Sequence, residues 1–241
     1  MPSRLISRPE EPAEAIALLR EHSLATLAQH ELERRILAGE LQAGAKLNEV
    51  DVAAALGVSR GPVREAFRAL GQAGLVRVEK NRGVFVREVS LQEAHEFYEV
   101  RAALEGLIGS LAAQRILPEE LEQLRQVVKR MHALERSRKP EAYFPLNVEF
   151  HDLLARAARN SALLTHYRAV VNQLDLYRRA TIAGGDENIP QSTAEHEAII
   201  EAVASRDASQ AQRLMTDHVL ASRARLQEAL APRVRVPRAR M

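Results

Sequence analysis

From Ser23 to Val86, apolar positions first recur at helical spacing and then alternate. Leu27, Leu32, Ile36 and Leu37 predict a helix that begins near Ser23 and stops at Gly39. Glu40 to Lys46 reads as a connecting loop. Asn48 can cap a second helix whose third position is Asp51, a near relative of the capping box, and Val52, Ala55 and Leu56 share one of its faces. Gly57 ends that helix, Val58 plugs the turn, and Ser59 is an N-cap residue for a third helix with Pro62 in its first turn. On the third helix Val63, Ala66, Phe67 and Leu70 form an inner face, while Arg60, Arg64 and Arg68 recur every four residues on another. Gly71 and Gly74 close it. Val76 and Val78, then Val84 and Val86, alternate around Lys80-Asn81-Arg82-Gly83, the pattern of a short hairpin.

Beyond Arg87 the valines give way to long Leu/Ala-rich amphipathic segments with short breakers, which places a domain boundary between Glu88 and Leu91. Ser90 caps a helix running to about Arg115, with Phe97, Val100, Leu104, Leu107, Ile108 and Leu111 as its apolar side. Five more helices follow: Pro118 to about Arg136, near Tyr143 to Arg159, Ser161 to about Ala183, Ser192 to Ser205, and Ala208 to Leu230. The longest irregular piece, Ala183 to Gln191, contains Gly184, Gly185 and Pro190 and is a candidate gate for a pocket. The expected organisation is a tail over 1–22, a winged helix-turn-helix over 23–88 (three helices and a hairpin wing), an antiparallel six-helix bundle over 91–230, and a tail over 231–241. That is a mainly α protein. Arg233, Arg235, Arg238 and Arg240 make the last tail basic, adding non-specific attraction for DNA.

Composition narrows the class. The 241 residues suffice for two domains, aromatics are only 4% with no Trp, and Leu, Ala and Val favour packed helices over a β-sandwich. Cys is absent, which excludes disulfides and thiolate metal sites and is compatible with the cytoplasm. No apolar run approaches the roughly 18 residues needed to cross a bilayer, and the charges between Met1 and Pro12 argue against an export signal.

The net charge of +2 hides a local excess. Between Ser59 and Arg87 stand Arg60, Arg64, Arg68, Arg77, Lys80, Arg82 and Arg87, against only Glu65 and Glu79. A helix, a tight Gly turn, an Arg-bearing helix and a basic hairpin, in that order, point to double-stranded DNA. Gly57-Val58-Ser59-Arg60, Pro62-Val63-Arg64-Glu65-Ala66, Gly74-Leu75-Val76 and Asn81-Arg82-Gly83 resemble the DNA-binding domain of GntR-family bacterial transcription regulators. The resemblance implies that Arg60 and Arg64 read base edges or grip phosphates at the entrance to the major groove and that the wing tip around Gly83 touches the minor groove; Ser59, Arg68, Asn81 and Arg82 are further candidate DNA contacts. Val50 stands where relatives often carry a DNA-contacting Arg, and Gly61 replaces a frequent Thr, so the operator sequence does not transfer.

In the second domain Asn147 and His151 are four residues apart and point the same way. Three imidazoles, His151, His196 and His218, with an oxygen ligand from Asn147, would satisfy a divalent transition metal and leave positions open for water or an anion. The other five His, including His30, His95, His132 and His166, read as surface or core residues. Phe150-His151-Asp152-Leu153-Leu154 with Asn160, Glu195-His196-Glu197-Ala198-Ile199, and Asp207 leading to His218-Val219 resemble the FCD effector domain of the FadR-type branch of that family. The resemblance implies a metal held by an Asp and three His, zinc first, with nickel or another ion as alternatives. Here Asn147 replaces the Asp, which weakens the site and leaves it one unit more positive. Arg101, in Tyr98-Glu99-Val100-Arg101, matches an Arg that faces the cavity and holds an acid effector. The alternative for Arg101 is an ion pair with Glu105 on the helix surface.

Together these features predict a cytoplasmic, homodimeric, ligand-responsive transcription regulator, not an enzyme, that binds a palindromic operator and a small carboxylate. Two other readings stay open at this point. Three His around an open metal can activate water for hydrolysis, although no general base is evident beside them. The bundle can also be a pure dimerisation module with an empty pocket.

Overall fold

A computed structural model describes residues 23–135, 140–181 and 189–230 of the chain. The predicted tails and most of the Ala183 to Gln191 segment lie outside the described residues. The chain divides at the Glu88–Val89 bond into two compact units.

The first unit holds helices α1 (Leu24–Leu37), α2 (Glu49–Leu56) and α3 (Arg60–Gln72) and strands β1 (Lys46–Leu47), β2 (Val76–Glu79) and β3 (Gly83–Val86). The Ser23 hydroxyl caps α1 by accepting from the Thr26 amide. The core is Ala28, Leu32 and Ile36 of α1 packed on Val63, Ala66, Phe67 and Leu70 of α3. Leu32 and Ile36 are buried as expected, whereas Leu27 is half exposed and Ala28 takes its place on the buried stripe of α1. On α2 only Ala53 is buried. Val52, Ala55 and Leu56 instead line a shallow groove of about 250 Å³ with Leu32, Leu41 and Leu47.

The caps differ in detail from expectation. Asn48 accepts from Val50 N, the second helical amide, and Ser59 has N-cap dihedrals without a side-chain cap bond. Gly71 lies inside α3, and the left-handed turn after it belongs to Gly74 at φ 73°. Lys46 is in β1, a strand too short to show alternation, which pairs antiparallel with β3 to make a three-stranded sheet of order β1-β3-β2. The loop from β2 to β3 turns through Asn81 at φ 63° and Gly83 at φ 111°.

The second unit contains α4 (Leu91–Arg115), α5 (Pro118–Glu135), α6 (Pro140–Ala157), α7 (Ser161–Thr181), α8 (Ile189–Ala204) and α9 (Ala208–Leu230). A full capping box between Ser90 and Glu93 starts α4. This helix is central, touching α6, α7, α8 and α9. Its buried face differs from the expected one: Val100 and Leu107 are nearly half exposed, while Tyr98, Arg101, Ala102, Glu105, Ile108 and Ala112 are inside. Small residues explain how α4 and α9 come close, since a Cβ on Gly109 would stand 2.7 Å from Ala211 O. Tyr143, Phe150 and Leu154 of α6 pack with Leu124 and Met131 of α5, Ile199 and Val203 of α8, and Met215 of α9. A second apolar cluster joins Ala94 and Tyr98 to Leu174, Tyr177, Val219 and Leu226. The imidazoles are carried on α6, α8 and α9.

Candidate nucleic-acid interface and metal centre

Arg60, Arg64 and Arg68 are all exposed on one side of α3, with Ser59 exposed at its start. Two of these arginines converge on a residue that the sequence pattern did not single out. Glu49 accepts from Arg60 Nε through Oε1 and from Arg64 Nε through Oε2, each at 2.7 Å. In the wing, Arg77 and Arg82 both pair with the Glu79 carboxylate, at 2.8 and 2.6 Å. Arg77, Arg82 and Lys46 also sit over the Phe85 ring, at 5.6, 5.8 and 6.0 Å from its centroid. The basic hairpin is therefore organised by one carboxylate and one aromatic ring, with Asn81, Arg82 and Gly83 exposed at its tip.

In the second unit the three predicted imidazoles meet, all buried. His151 Nε2 is 3.2 Å from His218 Nε2 and 3.4 Å from His196 Nε2. Behind each ring, Nδ1 faces an oxygen. His218 Nδ1 is 2.6 Å from Glu195 Oε2, and His196 Nδ1 is 3.4 Å from the Tyr143 hydroxyl. His151 Nδ1 is 2.7 Å from Glu105 Oε2, an ion-pair distance, although the approach is not that of a well-directed hydrogen bond. Asn147 is buried one helical turn before His151.

The outer carboxylates are themselves held. Glu105 Oε1 accepts from Arg101 Nε at 2.6 Å, and both groups are buried. Glu195 accepts from Arg225 at 2.9 and 3.1 Å in a two-pronged contact. Burial alone would raise the Glu105 carboxyl, but the charges of Arg101 and His151 outweigh it and hold it down at about 2. The same contest at Glu195, burial against hydrogen bonds from His218 and Arg225, also ends at about 2. Burial pushes His196 well below the ordinary imidazole value, with the neighbouring His218 and His151 acting the same way. Burial lowers His218 too, against the opposing pull of Glu195.

These facts fix the chemistry of the centre. A carboxylate on Nδ1 requires that nitrogen to carry the proton, which leaves the Nε2 lone pair facing inward. At His218, whose Nδ1 meets Glu195, the Nε2 lone pair faces inward 3.2 Å from His151 Nε2, a spacing that two ligands of one cation would have. Neutral imidazoles with anchored outer nitrogens are the donor set of a borderline transition metal, and the residues fit one. Glu105 and Glu195 lie on the Nδ1 side of the rings, away from the converging Nε2 atoms, and each is paired with an arginine, so neither is placed as a base for hydrolysis.

The FCD domain family matches residues 96–221, and the family described as bacterial regulatory proteins, gntR family, matches residues 24–86. This chain belongs to the GntR family, with an FCD domain. A probable D-xylose utilization operon transcriptional repressor of Paenarthrobacter nicotinovorans is 31% identical over 186 residues, spanning 77% of this chain and 81% of that protein. The HTH-type transcriptional regulator LutR of Bacillus subtilis is 31% identical over 202 residues, spanning 75% and 91%. Among solved structures, Escherichia coli McbR/YncC superposes with a TM-score of 0.71 at 20% identity, covering 86% of this chain and 98% of that one, a likeness of fold. A putative GntR regulator from Rhodococcus sp. RHA1 gives 0.67 at 25% identity, covering 86% and 99%.

This GntR regulator is a DNA-binding transcription factor and not an enzyme. Its His triad could bind a metal. Among the described residues no helix is long and apolar enough to cross a membrane. Arg101 combines the two readings of the sequence: it pairs with Glu105, as a surface residue would, but does so inside the bundle. The roles of Glu49, Glu79, Glu195 and Arg225 are what sequence reasoning missed, and of Glu105 it saw the pairing with Arg101 but not the burial or the contact with His151. Glu49, Glu195 and Arg225 act between separate helices, where spacing along one helix gives no signal. His30, His132 and His166 lie at the surface and His95 is half-buried.

Proposed function

We propose that this GntR regulator is a cytoplasmic homodimer that reads a palindromic operator and responds to a small carboxylate bound at a divalent metal in its FCD domain. The observation that carries this reading is the convergence of three buried imidazoles, His151, His196 and His218, whose Nε2 atoms face one another. Asn147 would complete the donor set with a neutral amide oxygen. Zinc suits four nitrogen and oxygen donors best, and nickel accepts the same set.

Charge favours an acid as effector. Burial disfavours charge on His196 and His218, Asn147 is neutral, and the Arg101–Glu105 and Arg225–Glu195 pairs each cancel. A dication would therefore be uncompensated in a buried site, and the effector's carboxylate would supply the missing negative charge. Arg101, beside the site, is the residue assigned to hold a second oxygen of the acid. The effector acts on transcription only through different affinities for the DNA-competent and DNA-incompetent states. Two copies of α3 on one two-fold axis would match a palindrome.

The test is metal analysis of tag-free protein beside the His151→Ala and His218→Ala variants. About one metal per chain, lost in both variants, supports the reading. No metal at any loading rejects the metal centre and turns the effector search to acids held by Arg101 and the histidines alone. On the DNA side, Arg64→Ala is expected to weaken binding by about 1–3 kcal/mol and to relax preference at one base pair. A quantitative binding series over single-base variants of a bound duplex checks this, and equal loss on every sequence makes Arg64 a phosphate contact.

A further inference from the structure

Glu49 is the first residue of α2, and its two carboxylate oxygens each take one arginine of α3. One carboxylate thus fixes two guanidiniums, carried four residues apart on the exposed face of the neighbouring helix. The hydrogen bond from Arg64, with that from Arg60, holds the Glu49 carboxyl below its usual range against the opposing effect of partial burial. Its place in the first turn of α2 favours the ionised form as well. Both arginine side chains remain 58% exposed, and pairs that open to water add little to fold stability. Holding the domain together therefore does not account for the arrangement.

The direction of the contacts supplies the account. Each runs through Nε. The end-on edge of a guanidinium, formed by its two Nη amino groups, is the edge that pairs with O6 and N7 of a guanine, and an Nε contact does not consume it. Unrestrained arginines on a helix that meets DNA fall readily onto phosphates, which carry no sequence information. A carboxylate between them repels phosphate and ties both side chains to one point.

We infer that Glu49 is a positioning residue for DNA readout, one that sets the spacing and direction of Arg60 and Arg64 as a fixed pair and opposes their capture by phosphate. It lowers affinity for arbitrary DNA and raises selectivity for the preferred site. The inference rests on α3 being the helix that reads sequence.

The test compares two probes on the full-length chain: a duplex enriched by the unmodified protein from a random-sequence pool, and a random-sequence duplex of equal length. In Glu49→Gln, affinity for the preferred duplex is expected to fall about tenfold. Affinity for the random duplex is expected to rise roughly two- to fivefold, with a steeper salt dependence, because one negative charge has left the interface. Glu49→Asp keeps the charge but shortens the reach, and is expected to lose preferred binding without gaining random binding. A merely structural glutamate gives a different result, a parallel fall on both duplexes together with a lower melting temperature. That outcome, or unchanged binding to both duplexes, overturns the assignment. If the unmodified chain enriches no duplex at all, the reading of α3 fails and the inference falls with it. A duplex that is enriched and then bound equally well by Glu49→Gln removes the inference alone.

Discussion

Glu105→Leu is expected to destabilise the helical unit by about 3–5 kcal/mol, the cost of leaving one charge of a buried pair without its partner. Arg101 and Glu105 are 6% and 0% exposed at their side chains and meet at 2.6 Å, so water cannot take the place of the lost carboxylate. The double variant Arg101→Met/Glu105→Leu, which removes both charges, is expected to recover most of that loss, because apolar replacements of similar volume are often as stable as the pair itself. Denaturant midpoints of the two single variants and the double variant decide the matter. A double variant as unstable as the sum of the singles would mean that packing, and not the unpaired charge, sets the cost.

The pH dependence has a definite sign. Glu105 is held at about 2, below its ordinary 4.5, so its contribution is complete above 4.5 and is lost as pH falls toward 2. The stability gap between the unmodified protein and Glu105→Leu is therefore expected to narrow on acidification through that window, as followed by unfolding curves from pH 6 downward.

The same pair shows where the sequence was legible and where it was not. The order of caps, glycines and arginines from Asn48 to Gly83 placed two helices and a hairpin correctly, because each signal is local and has a backbone cause. His151, His196 and His218 could be singled out because their residue type is uncommon and their flanking phrases are distinctive. The inner face of α4 could not be read in this way. Val100 and Leu107 look like core and are exposed, while Arg101 and Glu105 look like a solvated i,i+4 pair and are buried. Hydrophobic periodicity ranks residues by side-chain polarity, and it fails where two charges cancel inside. Glu49 and Glu195 escaped for a related reason. Each acts across elements, on Arg60 and Arg64 or on His218 and Arg225, and nothing in the linear pattern reports which helices are neighbours. Strand β1, two residues long, is too short for any alternation to show.

Metal and acid are expected to bind the FCD domain cooperatively, each tightening the other by roughly 5- to 150-fold, the range of a coupling of about 1–3 kcal/mol. The reason is the neutral donor set. Imidazole ligands and an amide at Asn147 give a dication no counter-charge, and Arg101 and Arg225 already neutralise the two nearby carboxylates. Calorimetric titration with zinc, its free concentration corrected for complexes with the acid in solution, in the absence and presence of acetate and then malonate, measures the coupling directly. Malonate, carrying two charges, is expected to couple more strongly than acetate. Asn147→Asp supplies one negative charge from the protein itself, so it is expected to tighten metal binding without acid and to shrink the coupling. His151→Ala is expected to abolish metal binding under every condition. Zinc bound equally well with and without either acid would show that the charge of the centre is balanced by some other group, and the acid would then have to be sought away from the metal. Because coupling is reciprocal, the same titrations run in reverse, acid into metal-loaded and metal-free protein, must return the same factor. A mismatch would show that the two titrations do not report one equilibrium, as when zinc and the acid associate in free solution.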